Sequence, residues 1–169
     1  MADTMKLSIL VLRTMLSLQP EAPWKDTYEL TSEVIAQMSQ DEPLFRGDDG
    51  PMRTAAVLVS LGWFEGRFRQ DAVNAKEGSY CMFQVNQSNF KALGVTREQI
   101  QSNFVVCTRA ALEMAKVSGH VCSRRPREEF LGHYASGGDT CGGVRASVNR
   151  MRKAFSIFDR WKREEDQDG

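Results

Sequence analysis

The chain has no apolar run long enough to span a bilayer, and this excludes an integral membrane segment. It has no net charge, with 22 basic and 22 acidic residues. No global field therefore points to nucleic acid or to a membrane surface. Internal repeats and low-complexity tracts are also missing, which excludes solenoids and disordered linkers. There is no Cys-x-x-Cys pair, so zinc is a poor reading of His120, Cys122, His133 and Cys141. Neither a metal nor a cofactor is expected. The N-terminal stretch is expected to be a helix of the mature fold, with a weak secretory leader as the alternative. Arg13 interrupts the apolar stretch from Leu7 to Leu12, Asp3 precedes Lys6, and no small-residue cleavage site follows Leu18.

What is present describes one globular domain. Its 169 residues can bury a full core, and 41% apolar with 26% charged residues is ordinary for that class. Leu7, Leu10, Val11, Met15 and Leu18 predict a helix over 4–18, ended by Pro20 and Pro23. Asp26 or Thr27 caps a second helix that carries Tyr28, Leu30, Val34, Ile35 and Met38. Residues 41–51 read as an acidic loop, in which Asp48 and Asp49 are too few to hold calcium.

Later helices follow over 86–93, stopped by Gly94, and from the Thr96 cap. A longer one runs from Phe104 through Cys107, Ala111, Met114 and Val117, ending at Ser118-Gly119. Residues 128–134 form another. The last stripe is Val144, Val148, Met151, Phe155, Phe158 and Trp161, a core-packing helix with a basic back. Residues 164–169 make an acidic tail. The expected fold class is mostly α with a short irregular or β segment.

The most informative stretch spans residues 56–90, AVLVSLGWFEGRFRQDAVNAKEGSYCMFQVNQSNF. Val57, Leu58, Leu61, Phe64 and Phe68 fall at helical spacing, so the run reads as a buried helix. Glu65 lies on that apolar face, four residues after Leu61. A carboxylate there is costly unless it is paired or protonated. One that keeps its proton near neutral pH can act as a general acid. The plainer reading is a rim residue paired with Arg67 or Arg69. Residues 70–85 are irregular or form short strands, and Gly78, Ser79 and Tyr80 suit close approach of a ligand.

Glu65, Phe68, Ala72, Gly78 and Gln84 are spaced as in the lysozyme-like soluble lytic transglycosylase family, which this stretch resembles. Two positions depart from it: Gly66 stands where the family has Ser, and Cys81 where it has Gly. A second block, EFLGHYASG over 129–137, resembles the family's later Tyr-Asn-x-Gly segment, with Ala135 in place of Asn. The resemblance covers about 50–155, with 1–50 as a helical extension of the same domain.

The resemblance implies a two-lobed fold with a cleft and cleavage of the β-1,4 bond between N-acetylmuramic acid and N-acetylglucosamine. Glu65 would be the acid and then the base, oriented by the Tyr134 hydroxyl. Gln84, backbone groups near Met82 and Phe83, and Tyr80 and Ser136 would hold the sugar. The partner would be a peptidoglycan glycan strand, met in the periplasm or outside the cell. The delivery route stays open: a phage endolysin, a virion or secretion-machine component and a leaderless form all fit.

Attack by the sugar's own 6-hydroxyl gives an anhydro product. A hydrolytic muramidase needs water and usually a second carboxylate, for which Asp71, Glu77 and Asp139 are candidates. A bacteriolytic enzyme is one class of answer, and a weakly active glycan-binding module is the other. The four cysteines permit three full pairings. Cys107 with Cys122 is the pair expected here, closing a short loop after the long helix.

Overall fold

Helix α3 (Gly50–Gly66) is apolar all round, and the rest of the chain wraps it. The computed structural model describes residues 4–136 and 140–168. The chain runs α1 (Thr4–Leu18), α2 (Tyr28–Asp41), α3, β1 (Val73–Asn74), β2 (Ser79–Tyr80) and β3 (Val85–Asn86). It continues through α4 (Phe90–Leu93), α5 (Arg97–Ser102), α6 (Phe104–Val121), α7 (Gly132–Ser136) and α8 (Val144–Asp168). The protein is mostly helical with one small antiparallel sheet, in the order β1-β2-β3. Val73 pairs with Tyr80, and Tyr80 with Val85. No described helix is long and apolar enough to cross a membrane.

Helix α1 packs on α2, and α3 lies between α2 and α8. The central helix starts earlier than Thr54 because Gly50 and Pro51 form its first turn, where proline's missing N–H is harmless. Thr54 is already inside it and donates back to the Gly50 carbonyl. Asp49 at its start pairs with Lys162 of α8.

Helix α6 runs past Ser118-Gly119 to Val121. Gly119 stays helical because the Phe130 ring occupies the space a side chain would need; a Cβ there would lie 2.3 Å from that ring. The expected helix over 128–134 is two pieces, a 3-10 turn at Arg127–Glu129 and then α7.

Helix α8 buries Met151, Ala154, Ile157 and Trp161 against the core. Phe155 and Phe158 flank that line and are only half-buried, each covered by an arginine, Arg127 and Arg53. The Trp161 indole donates to the Thr14 hydroxyl at 2.9 Å, which ties α8 to α1.

Two disulfides cross-link the second half of the chain, Cys81–Cys107 and Cys122–Cys141. The expected Cys107–Cys122 pair is therefore incorrect. Cys107 sits in the first turn of α6 and Cys122 just beyond its last, so the whole helix separates them. Adjacency in sequence did not mean adjacency in space. His120 and His133 are left without thiolate neighbours, since Cys122 and Cys141 are bonded to each other.

Candidate active site

The end of α3 is where the site begins. Arg67 and Phe68 both adopt left-handed backbone, with φ of 51° and 61°. The Phe68 N–H folds back onto the Gly62 carbonyl at 3.0 Å, a C-terminal helix stop made without glycine at the left-handed positions. Phe68 therefore lies outside the helix, and its assignment to the helical stripe is corrected. Its buried ring turns inward against Tyr28 and Trp63. Phe64 is 37% exposed rather than buried. The half-turn reversal leaves Glu65 at the rim of the core.

Glu65 is neither solvated nor isolated. Arg150 of α8 donates from Nε to Glu65 Oε1 at 2.6 Å, with the two side chains 15% and 16% exposed. The carboxylate thus takes the paired route, but with neither Arg67 nor Arg69. The Arg67 guanidinium stacks 3.8 Å above the Trp63 ring. Arg69 binds Asp71 at 2.6 Å.

The segment after the sheet's second strand comes up against this helix end. A Cβ on Gly66 would lie 2.6 Å from both the Cα and the carbonyl oxygen of Met82. Only glycine allows that approach, so the residue replacing the family's serine is required by the backbone beside it. Gly66→Ser is expected to destabilise the protein by about 1–3 kcal/mol through overpacking. A urea midpoint equal to the parent's would show that the Met82 backbone gives way.

Cys81 and Gln84 also have positive φ, 62° and 51°. The Cys81 carbonyl accepts both the Gln84 N–H at 3.0 Å and the Gln84 side-chain amide at 2.9 Å. Cys81 thus keeps the left-handed backbone that glycine would favour at the family's position.

The second block meets the first here. The Tyr134 hydroxyl donates to the Phe83 carbonyl at 2.7 Å. Its proton is not given to Glu65, so the expected Tyr134–Glu65 hydrogen bond is corrected. The phenol still feels the carboxylate. Burial pushes Tyr134 well above its usual range, the Glu65 charge pushes the same way, and Arg150 opposes it. Tyr134 therefore props the turn that faces Glu65.

Met82 and Phe83 are fully buried. They are core residues whose backbones shape the turn. Tyr80 is nearly buried, packed on Phe90 and covered by Arg97. Gln84 is half-buried and remains at the turn. Ser136 is exposed, accepted by the carbonyls of His133 and Thr140. Gly137, Gly138 and Asp139 lie outside the described residues.

The other carboxylates are occupied or remote in role. Arg69's hydrogen bond holds the Asp71 carboxyl below the usual carboxylate range, against the opposing effect of burial. Glu77 is exposed in the β1–β2 turn, where its backbone carbonyl accepts from Asn86. A cavity of about 630 Å³ opens elsewhere, among α1, α2 and α6, lined by Met5, Val34, Met38 and Val105.

Arg150 is the site residue that sequence reasoning missed. It was counted only among the charges of the last helix. One signal was available: a basic residue one turn from Ser147 and beside Met151, on the edge of the buried stripe. No protein family, curated protein or solved structure matches the chain. What the site does must be read from its own residues.

Proposed function

We propose that the protein cleaves peptidoglycan at the bond between N-acetylmuramic acid and N-acetylglucosamine, as a lytic transglycosylase with Glu65 as its single acid and base. One observation carries this reading. Two motif blocks far apart in sequence converge through the Tyr134–Phe83 hydrogen bond, near Glu65, a largely buried carboxylate paired with Arg150. A two-lobed, lysozyme-like arrangement fits the order of a buried helix ending at Glu65, a small sheet and a tyrosine-bearing helix. The two disulfides fit an oxidising compartment, where a cell-wall substrate would be met.

The anhydro route is favoured over hydrolysis by the state of the other carboxylates. A hydrolase needs a second one held across the bond. Asp71 is committed to Arg69, and Glu77 is solvated. With Asp71 and Glu77 both unavailable among the described residues, the substrate's own 6-hydroxyl is the simplest nucleophile, and it avoids the entropy of capturing water. Mass spectrometry of muropeptides released from purified sacculi tests this. The expected products are lighter by one water than hydrolytic ones and carry no new reducing ends. Asp71→Asn and Glu77→Gln should each keep most activity. Reducing N-acetylmuramic acid as the main product would make the enzyme a muramidase instead.

A glycan-binding module is the second reading, favoured by the departures from the family near the site, Gly66, Cys81 and Ala135. Clearing of a cell-wall suspension by the purified protein separates a lytic enzyme from a binder.

A further inference from the structure

We propose that Arg150 is a positioning residue for this reaction: it holds Glu65 by Oε1 and thereby assigns proton transfer to Oε2. The inference rests on the functional reading above and adds to it a residue from outside both motif blocks.

The geometry of the pair is the first ground. At 2.6 Å the Nε–Oε1 contact is a short, charge-assisted hydrogen bond between side chains largely withdrawn from water. Such a pair persists only where its geometry is good and its other polar atoms are satisfied. Arg150 meets that condition at Nη1. Its Nη1 donates to the Ala146 carbonyl at 3.0 Å, one turn back on α8. Its guanidinium lies 5.3 Å from the centre of the Phe64 ring. Its own carbonyl accepts the Ser60 hydroxyl at 2.7 Å, which fixes α8 against α3 at this level. The guanidinium is thus held on one side by its own helix and on the other by the helix that carries Glu65.

The second ground is the asymmetry this imposes. Oε1 is occupied, whereas Oε2 has no partner among the described residues and is not sealed from solvent. The neighbouring hydroxyl does not compete, because Tyr134 donates to Phe83. Among the described residues, Arg150 from α8 is paired with Glu65 and the buried Tyr134 of α7 lies within reach of its charge. One oxygen is fixed and the other is presented.

The chemistry then balances at one atom. In the reacting form a proton sits on Oε2, the oxygen that Arg150 leaves free, and it passes to the glycosidic oxygen as the bond from that oxygen to C1 breaks. The resulting carboxylate sits against the Arg150 cation, already oriented, with no reorganisation needed. Oε2 next takes the proton of the 6-hydroxyl as its oxygen bonds to C1. The acid form is restored and nothing else is consumed.

Steady-state cleavage of a defined glycan strand by the full chain, Arg150→Met and Arg150→Lys tests the role. Arg150→Met should lower kcat about a hundredfold through misplacement of Glu65, with KM changed less than about threefold. Arg150→Lys should fall only about tenfold, because it keeps the charge without the planar fork. Ethylguanidinium at a non-denaturing concentration should raise the rate of Arg150→Ala. A merely structural arginine would show none of this graded recovery.

Arg150→Met at parental kcat overturns the proposal. So does a lysine variant as poor as methionine together with no response to ethylguanidinium. Should Arg150→Met not fold, Arg150→Lys decides: a parental kcat, or a loss confined to KM, overturns the role. A parent that cleaves no glycan sinks the functional reading and this inference together. A cleaving parent with an unimpaired Arg150→Met sinks this inference alone.

Discussion

Glu65→Gln is expected to lower peptidoglycan cleavage by about a hundredfold to ten-thousandfold, the range for loss of a general acid. The amide has the shape of the carboxyl group but cannot release or recover the proton that both half-reactions need. The fold should survive, because the amide oxygen can still accept from Arg150 Nε. What is lost is the charge opposite a guanidinium only 15% exposed. That loss is expected to lower stability by about 1–3 kcal/mol, the scale of a hydrogen bond to a charged group. Rates should therefore be compared at a temperature where circular dichroism shows both proteins folded. A Gln variant that cleaves sacculi at more than about a tenth of the parent rate removes Glu65 as the acid.

The features legible in the sequence are those decided within a few residues. Helix α1 has the predicted bounds, 4–18, because its apolar spacing and the prolines after it act locally. The Thr96 cap forms as read, with the Gln99 side chain bonding back to the Thr96 N–H in a complete capping box. The features that were not legible depend on distance in sequence. Arg150 lies 85 residues from Glu65, and its place on the edge of the buried stripe does not by itself name its partner. Phe68 fits a helical stripe on paper. Two left-handed residues, neither of them glycine, end the helix before it, and that choice is set by the packing of Phe68 on Tyr28 and Trp63. Tyr134 was placed near the correct carboxylate but given the wrong acceptor, since the backbone carbonyl of Phe83 has no sequence signature.

Removing the Cys81–Cys107 bridge is expected to produce the largest stability change. Closing 26 residues of chain restricts the unfolded state by about 3.5 kcal/mol. For a chain of this size that is about 7–14 °C in melting temperature. Both cysteines are fully buried, so substitution is a cleaner test than a reductant, which would reach the bond only after the core opens. The choice of replacement carries further information. Cys81 is held at φ 62°, a backbone that disfavours any residue with a Cβ by about 1–2 kcal/mol. Alanine would keep that penalty and glycine would remove it. Cys81→Gly with Cys107→Ala should therefore unfold at a higher urea concentration than Cys81→Ala with Cys107→Ala, and both below the parent. The cross-link is also what holds the 81–84 turn to α6, while Tyr134 holds it through Phe83. With the bridge gone, the turn is held by that hydrogen bond, by the Cys81 N–H donating to the Ala72 carbonyl, and by the packing of Met82 and Phe83. Cleavage should fall in both double variants, and less in the glycine one. Equal urea midpoints for the parent and both variants would show that the bridge contributes nothing. Equal midpoints for the two variants alone would show that the left-handed turn relaxes once it is released.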